Sequence, residues 1–110
     1  MIVHATMKRK KEAARCPALA GQTFEVFDGL SEPVRSGTVK IENDLSYTAD
    51  IGGVEQSGQL TEVTPRREYK YHENGPPVVD GTLTCVGGRW FFQDSSPGAD
   101  ASGSIALPAQ

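Results

Sequence analysis

Two histidines, two cysteines and fourteen carboxylates are the first side chains of this 110-residue sequence to weigh for covalent or acid–base chemistry. A nucleophile needs a base beside it, most often histidine. His4 lies in a basic N-terminal stretch, and His72 follows Tyr71 just before Asn-Gly-Pro-Pro at 74–77. Neither stands in a catalytic motif, and both read as surface or packing residues. Cys16 precedes Pro17 with no base nearby and reads as exposed; Cys85 alternates with apolar neighbours and reads as a small buried hydrophobe. One disulfide is arithmetically open, and the sequence leaves the pairing of Cys16 and Cys85 undecided. No CxxC and no Cys/His spacing suits zinc. The acid pairs Asp94/Asp100 and Glu42/Asp44 lack the alternation and the downstream glutamate of a calcium loop. Gly52-Gly53 and Gly87-Gly88 lack the flanks of a phosphate-binding loop, so they read as hairpin turns. The expectation is no enzyme: no catalytic residues, no cofactor-binding residues and no metal site.

The remaining distinctive run is Lys-Arg-Lys-Lys at 8–11. Residues 1–15 carry Lys8, Arg9, Lys10, Lys11 and Arg15 against Glu12, a net +4. The rest holds six cations against thirteen acids, a net −7, giving −3 overall. An acidic body argues against nucleic-acid binding across its face. The five arm cations are therefore candidate partner-binding residues for an acidic protein surface. No aromatic interleaves them, so stacking on single strands is not supported.

The elements that must position these groups are short. Hydrophobic residues make up 37% of the chain, and twelve glycines with seven prolines force frequent turns. That excludes a long helical bundle or a coiled coil. No apolar run reaches the roughly 18 to 20 residues that cross a bilayer. Met1–Val3 is too short for a signal-peptide core, and a reducing compartment is the default for so few cysteines. Period-two alternation predicts strands over 23–27, 34–42, 45–51, 54–63 and 67–73. Phe24 and Val26 share a face, as do Val39 and Ile41, and Leu45, Tyr47, Ala49 and Ile51; Gly37 suggests a bulge. Tyr69 and Tyr71 alternate with charged residues. Thr82–Gln93 folds about Gly87-Gly88, pairing Val86 with Arg89, Cys85 with Trp90, Thr84 with Phe91 and Leu83 with Phe92. Leu83, Cys85, Trp90 and Phe92 then share one face and mark the core. Residues 94–104 read as a polar loop and 105–107 as a short last strand. The reading is an all-β fold: a small barrel or sandwich of about seven short antiparallel strands. A basic N-terminal arm or short helix, residues 1–15, precedes one β domain, residues 16–110.

The segment 79–107 carries a family resemblance. Thr82, Leu83, Thr84, Trp90, Asp94 and Leu107 lie in a Thr-Leu-Thr strand, tight turn, aromatic strand, Asp-containing loop and apolar last strand. This resembles the C-terminal end of head–tail joining (head-closure, or stopper) proteins of tailed bacteriophages. Phe-Glu-Val-Phe-Asp-Gly at 24–29 is similar to that family's early strand and turn. Asp80-Gly81 stands in reversed order from the family's usual Gly-Asp, and the family's long joining loops are not located. The resemblance implies a small β-barrel in a six-fold ring between the portal/adaptor complex and the tail-terminator protein. It implies assembly in the host cytoplasm and a place in the virion neck, with nucleic-acid contact only through the arm or the ring lumen. The alternative expectation is a small acidic phage-encoded inhibitor or adaptor that binds a host protein.

Overall fold

In the computed structural model, which describes residues 15–108, eight antiparallel strands run in sequence order around a closed barrel. They are β1 (Gln22–Asp28), β2 (Val34–Ile41), β3 (Ser46–Ile51), β4 (Val54–Thr64), β5 (Glu68–Glu73), β6 (Val79–Val86), β7 (Arg89–Asp94) and β8 (Ser102–Ala106). Each strand pairs with the next, and β8 closes on β1 from Glu25↔Ala106 to Asp28↔Gly103. The all-β barrel expected from the sequence is present, with one strand more than the seven counted. The arm residues Lys8, Arg9, Lys10 and Lys11, and His4, lie outside the described residues; Arg15 is exposed.

Local chemistry sets the registers. Gly52-Gly53 and Gly87-Gly88 hold positive φ at both positions, as a two-residue hairpin turn requires. The second fixes Val86↔Arg89, Cys85↔Trp90, Thr84↔Phe91 and Leu83↔Phe92, the expected pairing. The irregularity suggested at Gly37 falls beside it: Val26 pairs with Gly37 and Phe27 with Arg35, so Ser36 bulges from β2.

One end of the barrel is plugged. Residues 16–20 cross beneath the strands, with Cys16 and Leu19 each 2% exposed. Trp90, 1% exposed, donates its Nε1 hydrogen to Pro17 O at 2.8 Å and meets the Tyr69 ring edge-on at 5.6 Å. Arg66 Nη2 donates to Cys16 O at 3.1 Å. Cys16 is disulfide-bonded to Cys85 on β6. This corrects two expectations: Cys16 is buried instead of exposed, and Cys85 is a half-buried disulfide partner instead of a free hydrophobe. The reason is spatial. The segment after Pro17 folds under the barrel, where the Cys85–Trp90 rung is waiting, although 69 residues separate the cysteines.

Candidate functional site

Period two sends alternate side chains of every strand into the barrel. At the plugged end these fill the space: Phe24, Tyr69, Leu83 and Trp90 are all buried. Toward the other end they do not. A cavity of about 340 Å³ remains, lined by residues of all eight strands. Its walls are mostly apolar, including Val39, Ile41, Ala49, Leu60, Phe92 and Ile105. Asp28, Glu73 and Asp94 stand where β1, β5 and β7 end, at the mouth.

The mouth is built by one arrangement used repeatedly. An even-numbered strand contributes a glycine, the preceding odd strand an aromatic ring, and the following odd strand an acid. Tyr47 on β3 pairs with Gly58 on β4, which pairs with Glu73 on β5. The Tyr47 ring lies over Gly58, where an added Cβ would sit 2.6 Å from it, and its hydroxyl donates to Glu73 Oε1 at 3.3 Å. Tyr71 on β5 lies over Gly81 on β6 in the same way, and its hydroxyl donates to Asp94 Oδ1 on β7. Phe92 on β7 lies over Gly103 on β8, which pairs with Asp28 on β1. Phenylalanine has no hydroxyl, so this third unit places a ring and an acid without the bond between them.

Electrostatics follow from that geometry. Burial, reinforced by the neighbouring Glu73 and Asp94 carboxylates respectively, pushes the Tyr47 and Tyr71 hydroxyls far above the usual phenol range. Both stay protonated donors. Burial also raises the pKa of Glu73; the Tyr47 hydrogen bond opposes this, and the charge of Asp94 adds to it.

Of the core residues expected from the sequence, the structure brings Leu83, Cys85, Trp90 and Phe92 together on the inner face, Leu83 and Trp90 fully buried. Leu83 and Phe92 also line the cavity. His72 is exposed on the outside, its Nδ1 2.7 Å from Asp80 Oδ1. Asp44 caps its own turn by accepting from the Ser46 amide at 3.0 Å. Sequence reasoning missed Asp28, Tyr47, Tyr71, Glu73 and Asp94 as a group. Their signal was phase: each acid stands two residues beyond an inward-facing Val26, Tyr71 or Phe92.

Comparison with protein-family models, curated proteins and solved structures finds no match to this chain.

Proposed function

We propose that this protein encloses a small, largely apolar ligand in its barrel. One observation carries the reading: the cavity of about 340 Å³, walled by all eight strands, plugged at one end and open at the other. Its size falls at the lower end of the roughly 300–1,000 Å³ usual for small-molecule sites. Side chains that fill the plugged end leave this space unfilled, and its open mouth gives a ligand a way in. The Cys16–Cys85 disulfide supports an oxidising compartment for this activity, in place of the reducing one expected from composition.

Filling the cavity tests the reading. Ala49→Phe adds a ring inside the barrel. It is expected to abolish calorimetric binding of a neutral probe such as 3-phenylpropan-1-ol while the far-UV spectrum is kept. Undiminished binding in that variant would place the site elsewhere.

A second reading is a ring-forming connector subunit of a phage neck, as the family resemblance implies. Leu30, Val34, Val54 and Val78 favour it, because all four are exposed and lie in strand ends or loops at the mouth end. Val63, Val86 and Leu107 are exposed at the opposite end, so apolar side chains stand at both ends of the barrel, as contacts with a neighbour on either side would use. Arg15 with Lys8, Arg9, Lys10 and Lys11 would then grip an acidic neighbour. Mass photometry of the chain mixed with portal/adaptor and tail-terminator proteins tests this reading; a chain that stays monomeric in every mixture refutes it.

A further inference from the structure

We propose that the ligand of the barrel is a small organic cation, an ammonium on an alkyl or arylalkyl body, with its charge held at the mouth by Glu73 and Asp94 and with Asp28 adding to the negative field there. This deepens the lumen-binding reading and rests on it.

The cavity is amphipathic, with its polar end entirely of one sign. Three carboxylates line it, and no lysine, arginine or histidine does. Tyr47 and Tyr71 hold Glu73 and Asp94 in place through one hydrogen bond each. A carboxylate has about four acceptor positions, so each keeps capacity for a donor from the ligand. Asp28 faces Phe92 across Gly103 and receives no side-chain hydrogen bond or ion pair from a described residue. Burial raises the pKa of Glu73 and the Asp94 charge adds to it, so a cation seated beside the two carboxylates would favour their ionised forms.

The occupant this fits is organic and not a metal ion. Among the described residues, no three acids, histidines or cysteines gather closely enough to hold a metal. The acids instead crown an apolar chamber, which rewards a ligand with one charged end and one greasy end. An anion would meet three like charges there. An apolar cavity of about 150 Å³ holds benzene, so this one suits roughly a dozen non-hydrogen atoms.

Three probes sharing one body and differing in the head group decide the matter: 3-phenylpropylammonium, 3-phenylpropan-1-ol and 3-phenylpropanoate, titrated calorimetrically at pH 7. The ammonium is expected to bind about 10- to 100-fold tighter than the alcohol, the range for a hydrogen bond to a charged group, and the carboxylate weakest. In Glu73→Gln/Asp94→Asn the ammonium should fall to within about threefold of the alcohol while the alcohol keeps its affinity. Asp28→Asn alone, at an exposed position, should lower only the ammonium. Glu55→Gln, an exposed change outside the cavity lining, should leave the preference intact, which separates the site from the general acidity of the body. If alcohol and ammonium bind equally to the native protein, the lumen reading stands and the charge assignment falls. If no probe binds, both fall. A preference untouched by the mouth variants also overturns the assignment.

Discussion

At the scale of single residues, the mouth depends on glycine as much as on tyrosine. Gly81 is where the Tyr71 ring lies, and a Cβ there would stand 2.2 Å from that ring and 2.5 Å from the Gln93 carbonyl. One of these is backbone, so a shifted side chain alone cannot relieve the clash. Gly81→Ala should cost about 1–3 kcal/mol in urea denaturation, as overpacking typically does. Glu73 makes a prediction of the opposite sign. Its folded-state pKa is raised above the ordinary 4.5 by burial and by Asp94. The folded state therefore binds the proton more tightly than the unfolded chain. The associated stability is complete below pH 4.5 and is lost as the pH rises through the raised value. Glu73→Gln keeps an acceptor for Tyr47 and never ionises. Its melting temperature should exceed that of the native protein at pH 7, and the gap should close at pH 4. A gap that does not depend on pH would show that Glu73 carries no such penalty.

At the scale of elements, the β6–β7 hairpin and the plug beneath it form one unit. Trp90 is buried among Tyr69, the Cys85 rung and the Pro17 carbonyl. Trp90→Ala should cost roughly 3–5 kcal/mol. A near-neutral result would mean that the plug does not close. Breaking the disulfide, by reduction or by Cys16→Ser/Cys85→Ser, frees a long loop and should cost about 2–4 kcal/mol. Tryptophan fluorescence followed through denaturant reads both. The hairpin was legible because Gly87-Gly88 fixes its register and alternation then fixes its face. The plug was not: nothing in residues 16–20 taken locally says that Cys16 will lie under Trp90. The last strand was half legible. Ser102, Gly103 and Ser104 read as loop, yet all three belong to β8, and Gly103 fits there because only a residue without a side chain passes the Phe27 carbonyl and the Phe92 ring.

At the scale of the whole molecule, closure does what no strand does alone. It pairs β1 with β8, so that no edge among the eight strands is left open to another chain. It also turns three separate strand ends into one acidic mouth. That is why the site escaped a reading along the chain. Asp28, Glu73 and Asp94 each stand beside a turn, where an acid is ordinarily solvated, and only the barrel brings them to a common opening. Alternation predicted the inward faces of Tyr47, Tyr71 and Phe92; the number and order of strands decided what those faces enclose.

The direction of the strands has one further consequence. β1 starts and β8 finishes at the plugged end, so both described ends of the chain leave the barrel on the side away from the mouth. A label, a fusion partner or a sensor surface attached at Arg15 or Pro108, the first and last described residues, would stand clear of the opening. Immobilised that way, the molecule would present its doorway to solution like a cup fixed by its base.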